Sequence, residues 1–516
     1  AGPSLIFANP PAATSAGKFR RIYFFHTFDF SESAFMPRTG MRPMCCCFSR
    51  PMRVPIRIID CMQMKRLLLF LSLFLPAVGS MSAQTAPSYE ILDGIYDRLA
   101  GPFTEADEQS LRILGLSRLW AEVKRNFVFM DRVEVNWDSL YVANIPAILA
   151  ARDRDECFMI LQRMAARLGD GHTYVYGRAP EHPSVPVTTV MIDGRVYIDR
   201  VQSSELCDMG LRRGMEIVAV GGVPVIEYGE SRIMPYVSSS TPQWTVHRTF
   251  EGSDLLGGKT KDTLNLLLSF EGRQLSVPYV LGSARRDLPS DDRTLSFEMK
   301  RGGIGYLRIR NFMDSDFEEK FDELYPQLLK TSALIIDVRD NDGGNSGNAN
   351  YVLRHLSKDS VRTAPWSSPI YIPAYASWSV NVPDYRSESG YMAPAGGKEI
   401  YDNPIAVLID GGTFSAAEDF CSMFAGMKRG AIIGSKTGGS TGNGVRVELI
   451  PDHTYANICS KHDLMPDGTE FVGIGIVPDI EVSETYESYF EDAEDAAVKT
   501  AEKHLQSVMK TLKKRR

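Results

Sequence analysis

The segment Asp410-Gly-Gly-Thr-Phe-Ser-Ala-Ala-Glu-Asp-Phe420 has residue types and spacing that suit acyl transfer. An apolar strand ends there, a glycine pair turns the chain, and Ser415 stands at the start of a helix. A serine in that position can point its hydroxyl into a cleft that the helix amides also face, as a nucleophile beside an oxyanion hole requires. Ser415 and Glu418 also have capping-box spacing, in which the serine only satisfies amides at the helix start. The motif alone leaves both interpretations open.

A second polar turn lies in the run Ile335-Ile-Asp-Val-Arg-Asp-Asn-Asp-Gly-Gly-Asn345. Gly343 and Gly344 allow the backbone to turn its N–H groups toward a developing oxyanion, although the same pair also suits an ordinary strand-to-helix turn. For Asp337 and Arg339 we expect a structural ion pair.

A serine nucleophile needs a base, and the sequence offers two candidates. His172 lies in the tight turn Asp170-Gly-His-Thr173, where a helical pattern changes to a strand pattern. Lys436 follows Ser415 in the chain and could form a Ser-Lys dyad, provided that it is desolvated. The chain contains no H-E-x-x-H, paired C-x-x-C or Walker motif, so the sequence indicates neither a metal nor a nucleotide cofactor.

The periodicity of apolar residues predicts three regions that must position these groups. Residues 84–175 have helical spacing, residues 185–285 have β-rich patterning, and residues 290–486 alternate strands and helices. The fold class is therefore multidomain α/β with a partly parallel sheet in the last region. Residues 487–516 are predicted to form a helix that ends in a basic tail.

The amino end has a different character. Residues 64–83 have a basic start, a short apolar core and a small-residue exit, which is typical of a secretory signal peptide. Residues 1–63 are expected to be upstream or disordered sequence. The layout predicts an exported protein, periplasmic or extracellular, with no stable membrane span after the signal is cleaved.

Charge and cysteine content exclude other classes. Subtracting the 10 basic and 3 acidic residues of positions 1–83 from the totals of 57 and 64 leaves a formal net charge of −14. This acidity argues against a nucleic-acid partner. Four dispersed cysteines in residues 84–516 do not form a disulfide framework, and we expect Cys157 and Cys421 to be buried thiols.

Taken together, the motifs resemble those of the C-terminal processing (tail-specific) serine proteases and of the core domains of tricorn protease. Six segments occur in the family's order: Asp170-Gly-His-Thr, a PDZ-like stretch that includes Gly210-Leu211 and Ile217 to Val225, Asp337 to Gly344, Gly412 to Glu418, Gly434 to Gly439, and Gly473 to Asp479. The resemblance implies an N-terminal helical domain, a PDZ-like insert that binds peptide termini, and a protease-like (crotonase-like) α/β catalytic domain.

The resemblance also assigns roles. Ser440 stands where the processing proteases carry their catalytic lysine, whereas Asp170-Gly-His172-Thr matches the tricorn-like branch, which uses a histidine. It therefore implies Ser415 as nucleophile, His172 as base, and the amides of Gly344 and Ala416 as the oxyanion hole. Val472 stands where that branch carries a glutamate, and Glu470, which shares a strand face two residues earlier, is the candidate for that role.

The resulting expectation is an exported serine endopeptidase that hydrolyses peptide bonds in proteins or peptides without a cofactor. Two alternatives remain open at this stage. One is a non-catalytic peptide- or ligand-binding relative of the same fold, and the other is an esterase that uses the same serine.

Overall fold

A computed structural model describes residues 107–177, 183–258, 261–288, 293–379, 385–451, 453–491 and 495–515. The predicted signal peptide and the residues before it lie outside these ranges. Among the described helices, none combines the length and apolar character of a membrane-spanning segment.

The first described region consists of three helices and a short strand. Their bounds are α1 (Glu108–Asn126), α2 (Trp137–Ala150), α3 (Arg154–Ala166) and β1 (Tyr174–Gly177). Each helix begins after an Asp or Asn whose side chain accepts a hydrogen bond from a first-turn amide, as expected for N-caps. Leu119 and Val123 of α1 are buried, as is Phe127 directly after the helix.

The second region is built around an antiparallel sheet. Its elements are β2 (Val187–Ile192), β3 (Arg195–Val201), α4 (Ser204–Asp208), β4 (Glu216–Val220), β5 (Val223–Pro224), α5 (Val225–Arg232), α6 (Pro242–Phe250), β6 (Thr263–Phe270) and β7 (Arg273–Val280). The strand order is β2-β3-β4-β6-β7, and β5 pairs with β4. Asp193 and Gly194 both have positive φ, at 50° and 74°, which is the conformation that a two-residue hairpin turn requires.

The third region alternates strands and helices. Its elements are β8 (Leu295–Met299), β9 (Ile304–Ile309), α7 (Phe317–Leu328), β10 (Ala333–Asp337), α8 (Ser346–Arg354), β11 (Val361–Arg362), β12 (Trp366–Ser368), α9 (Pro373–Ser377), β13 (Tyr385–Ser387), β14 (Tyr391–Met392), β15 (Ile405–Ile409), α10 (Ala416–Met427), β16 (Gly430–Gly434), β17 (Gly444–Ile450), β18 (Thr454–Cys459), β19 (His462–Asp463), β20 (Ile480–Glu481) and α11 (Ala496–Arg515).

The central sheet of this region has the order β20-β16-β15-β10-β9-β8. All of its pairings are parallel except that of β8 with β9. Every residue of β10 and β15 is buried, as expected for strands that are covered on both faces. The prediction of a mixed α/β protein with a partly parallel sheet is confirmed.

A buried ion-pair cluster lies in the third region, and buried cysteines lie in the first and third regions. Asp337 is fully buried and pairs with Arg308 at 2.6 Å and with Arg339 at 2.7 Å, so the expected ion pair of Asp337 and Arg339 is confirmed. Although burial acts in the opposite direction, the two guanidinium groups hold the pKa of Asp337 well below its usual range. Cys157 and Cys421 are buried free thiols, as expected.

Two features of this topology assemble the site. Strands β10 and β15 are adjacent and parallel, so the turns that follow them, with Gly344 and Ser415, lie at the same edge of the sheet. Strand β1 pairs antiparallel with β18, which anchors the turn carrying His172 against the same region.

Candidate active site

The turn between β15 and α10 holds Ser415 in a strained conformation. Its φ and ψ are 55° and −123°, a region that costs a residue with a side chain about 1–3 kcal/mol and that is found at functional sites. Hydrogen bonds fix the turn on both sides: Phe414 N donates to Asn341 O at 2.9 Å, and Ser415 N donates to Ser440 O at 3.2 Å. The sharp turn presents the Ser415 hydroxyl at the start of the helix.

The Ser415 hydroxyl is paired with His172. Its Oγ lies 2.9 Å from His172 Nε2, although the two residues are 243 positions apart in the sequence. His172 is held by Asn457, whose Nδ2 donates to the His172 carbonyl oxygen at 2.7 Å. The structure therefore brings together the two residues that the sequence identified as nucleophile and base.

The capping-box interpretation of Ser415 is not supported by its contacts. Ser415 makes no side-chain capping bond, and Glu418 turns toward the loop that follows β16. The Glu418 carboxylate accepts from the amides of Gly439 at 2.7 Å and Ser440 at 2.8 Å, and from the Thr437 hydroxyl at 2.5 Å. Burial raises the pKa of Glu418 to about 8. Glu418 therefore fixes the loop that carries Ser440.

Ser440 provides the second partner of the histidine ring. Its Oγ lies 2.9 Å from His172 Nδ1 and 3.5 Å from Asp170 Oδ1. When Nε2 accepts the Ser415 proton, Nδ1 carries the ring proton and donates to Ser440. Burial raises the pKa of Asp170 to about 6. The ring thus lies between two hydroxyls, with a buried carboxyl group behind the second.

Burial determines the charge state of the candidate base. His172 is 8% exposed, and desolvation, with a smaller contribution from the positive charge of Lys461, lowers its pKa to about 4. The ring is therefore neutral at pH 7 and has a lone pair available to accept a proton.

The expected oxyanion donors flank Ser415. Gly343 lies so close to it that an added Cβ would stand 2.6 Å from the Ser415 Cβ, so only glycine fits there. The Gly343 amide donates to Asn341 Oδ1 at 2.9 Å. The amides of Gly344 and Ala416 donate to no group in the described part of the chain. Ala416 directly follows Ser415, and Gly344 lines the same cleft as Ser415. These two amides are available to an incoming oxyanion.

Two other predicted candidates lie outside this arrangement. The Glu470 carboxylate bonds His462 Nε2 at 2.8 Å and Arg132 at 3.3 Å, so the structure does not bring it to His172. Lys436 is exposed to solvent, whereas a lysine that acts as a base has to be desolvated. Among the residues that the structure describes, no cluster of His, Cys, Asp or Glu is suited to a metal ion.

Ser415 and His172 open into a cleft of about 900 Å³. Side chains of α6, the turn after β10 and strand β17 line it, among them Trp244, Asp342 and Arg446. The sequence did not identify Trp244, Glu418 or Asp170 as parts of the site. One local feature of the sequence points to Glu418. A carboxylate within the apolar stretch of α10 needs a buried hydrogen-bond partner.

Comparisons with known proteins indicate a peptidase family and a shared fold. The family model described as Peptidase family S41 matches residues 303–482. A carboxyl-terminal-processing protease from Synechocystis sp. is 24% identical over 410 residues, which cover 77% of this chain and 85% of that protein. A carboxy-terminal-processing protease from Bartonella bacilliformis is 27% identical over 200 residues, 36% of this chain and 42% of that protein. The crystal structure of mature CPAF matches with a TM-score of 0.60 at 15% identity and covers 78% of this chain and 97% of CPAF, which indicates a shared fold.

Proposed function

We propose that this serine-type peptidase cleaves peptide bonds with Ser415 as nucleophile and His172 as general base. The premise is the match of residues 303–482 to peptidase family S41. The single observation that supports these roles best is the 2.9 Å contact between Ser415 Oγ and His172 Nε2. The positive φ of Ser415 also supports the nucleophile role, because a serine with a purely structural role would not require a strained backbone.

The mechanism follows from the two contacts of the imidazole ring. His172 Nε2 takes the Ser415 proton as Oγ attacks the peptide carbonyl carbon, and the amides of Gly344 and Ala416 stabilise the resulting oxyanion. The imidazolium then gives its proton to the leaving amine, which leaves an acyl-enzyme on Ser415. Water activated by the neutral ring hydrolyses that ester and regenerates the serine.

Ser440, and not the Glu470 that the resemblance suggested as the further catalytic residue, contacts His172 Nδ1 and orients the ring. A hydroxyl that accepts from Nδ1 keeps the proton on that nitrogen and leaves Nε2 free to act as the base. Ser440 stands where processing proteases carry a lysine, so in this chain the position supports the base instead of supplying it.

Replacing Ser440 with alanine is expected to lower kcat about 5- to 150-fold, the equivalent of losing one buried hydrogen bond of about 1–3 kcal/mol. Steady-state cleavage of a fluorogenic peptide measures this loss. Glu470→Gln is the matched control and should retain wild-type kcat, because its carboxylate contacts His462 and Arg132. A large loss in Glu470→Gln with none in Ser440→Ala would reverse the two assignments.

The pH dependence of kcat/KM tests the base directly. A neutral His172 is the active form, and its pKa is about 4, so activity is retained as pH falls from 7 to 5 and is half lost near pH 4. An ordinary histidine would lose half its activity near pH 6.5. Peptide hydrolysis at constant ionic strength gives the profile, and a midpoint at 6.5 or above would contradict a buried, neutral base.

The cellular setting belongs to the same proposal. The signal-like stretch at 64–83 supports an exported enzyme. Two bacterial relatives are carboxy-terminal-processing proteases, which supports action near the carboxyl ends of protein substrates. The match to a peptidase family supports protein or peptide substrates, and the acidic charge argues against nucleic acid. A non-catalytic relative would bind such peptides without turnover, and an esterase would hydrolyse a matched ester but not the amide.

A further inference from the structure

Helix α6 crosses from the β-rich region onto the active-site loops. The Thr241 hydroxyl at its start donates to Gly438 O at 2.6 Å, and Gln243 Nε2 donates to Thr437 O at 2.8 Å and to Ile474 O at 2.9 Å. A further hydrogen bond involves the turn that carries His172: Gly171 N donates to the Ser240 hydroxyl at 3.0 Å. The start of α6 is thus hydrogen-bonded to the loop that leads to Ser440.

An aromatic stack connects α6 to the histidine ring. Trp244 lies on Phe414 with ring centroids 3.9 Å apart and planes 7° apart. Phe414 lies in turn on His172, at 4.7 Å and 9°. A Cβ on Gly438 would stand 2.7 Å from Phe414 and 3.0 Å from Trp244, so the absence of a side chain there allows the stack to close. Phe414 directly precedes the nucleophile, so the stack contacts both members of the pair.

We infer that α6 is a positioning element for the catalytic base: Trp244 holds Phe414, and Phe414 holds the face of the His172 ring. This inference rests on the proposed function. Neither Trp244 nor Phe414 exchanges a proton in the reaction, and both act through the orientation of His172. Their burial also excludes water from one face of the ring.

The outer edge of β2 is occupied by the chain itself. Thr189 N donates to Gly252 O at 2.7 Å, Gly252 N donates to Thr189 O at 2.9 Å, and Val185 N donates to Leu256 O at 3.1 Å. Leu255 and Leu256 are buried, which anchors the segment in the core of this region. The residues that follow α6 therefore take the place at which an extended peptide would add as a strand.

The opposite edge of this sheet is also poorly suited to strand addition. Strand β7 carries Pro278, which has no N–H to donate, and proline on an outer strand is a recognised means of preventing further pairing. The occupied β2 edge and Pro278 on β7 therefore argue against strand addition as the way in which this sheet would capture peptide termini. Instead, the occupied β2 edge fixes the far end of α6, so the helix stays docked without a bound peptide.

The test compares Trp244→Leu with Trp244→Phe. We expect Trp244→Leu to lower kcat about 10- to 100-fold with KM within about twofold, because small misplacement of a catalytic group costs up to about 100-fold. Trp244→Phe should recover most of the loss by restoring the stack. Trp378→Leu is the matched control, since Trp378 is 68% exposed, and it should match the wild type.

The acid limb of kcat/KM provides a readout that a general loss of stability would not move. In Trp244→Leu the His172 ring gains water contact, while its charged neighbours Lys461 and Asp170 are unchanged, so the acid limb should shift to higher pH. Should Trp244→Leu not fold, Gln243→Leu should show the same shift with a smaller loss of kcat. The inference would be overturned by an acid limb that does not shift in Trp244→Leu, or by an increase in KM without a change in kcat. Equal losses of kcat in Trp244→Leu and Trp244→Phe would also overturn it.

Adding a free peptide tests the closed edge. A synthetic hexapeptide with an apolar last residue and a free carboxylate, present at up to millimolar concentration, should leave turnover of an unrelated substrate unchanged. Activation by that peptide would contradict a permanently docked α6. If the wild type cleaves no peptide at all, the proposed function fails, whereas an active wild type whose Trp244→Leu variant behaves normally rejects only this inference.

Discussion

Ser415→Ala is expected to lower peptide cleavage by about 10⁴- to 10⁶-fold, the range for loss of a serine nucleophile that acts together with its base. Without Oγ no acyl-enzyme can form, and the residual rate comes from binding and from the amides of Gly344 and Ala416. The stability of the fold should change by less than about 1 kcal/mol, because alanine keeps the Cβ and the hydroxyl has no capping role. Progress curves at high enzyme concentration and thermal melts measure the two effects.

Ser422 provides a matched control for this substitution. It lies in α10, the helix that directly follows Ser415, and is 1% exposed. Its hydroxyl has no hydrogen-bond partner among the described residues. Ser422→Ala should therefore keep wild-type activity and at least wild-type stability. Equal activity of Ser415→Ala and the wild type would remove Ser415 from the mechanism and favour a binding protein or a different nucleophile.

His172→Ala is expected to reduce kcat nearly as much as the loss of the nucleophile, and the double variant with Ser415→Ala should be no worse than either single one. Residues that act as one unit show this non-additivity, because each is useless without the other. Lys436→Ala should stay within about twofold of the wild type, since surface substitutions away from a site have small effects. Steady-state kinetics of the wild type and these four variants on one peptide provide the comparison.

The reverse pattern would identify a Ser-Lys enzyme. If Lys436→Ala were inactive while His172→Ala kept full activity, the exposed lysine would have to move into the cleft and become desolvated during catalysis. An intermediate pattern, with both single variants reduced and their effects additive in free energy, would contradict the direct pairing of Ser415 with His172.

Local patterns predicted many of the elements because their signals are short-range. The pair Asp193-Gly194 favours positive φ in a hairpin turn, and the structure places β2 and β3 on either side of it. The apolar run Ile405–Ile409 is a buried strand, and Ser415 follows it at the start of a helix. These features depend on turn chemistry and burial, which neighbouring residues determine.

The parts of the site that could not be predicted depend on contacts between distant residues. Ser440 contacts His172 although 268 positions separate them in the sequence. Trp244 stacks on Phe414 from a segment in which the sequence pattern was uninformative. Glu418 fits a capping box by spacing, yet the tertiary fold turns its carboxylate toward the loop at Ser440. Glu470 and Val472 were expected to share a strand face, but the structure places neither in a strand. Glu470 instead contacts His462 and Arg132, which the periodicity of one segment cannot reveal.

The central claim is that Ser415, activated by His172, forms the covalent bond to the substrate. Reaction with a fluorophosphonate, in which Ser415 Oγ bonds to phosphorus and fluoride leaves, followed by intact-mass measurement and peptide mapping, tests it directly. We predict one adduct per chain on the peptide that contains Ser415, with labelling lost in Ser415→Ala and strongly slowed in His172→Ala. An adduct on another residue, or none on a protein that cleaves peptides, would contradict the account.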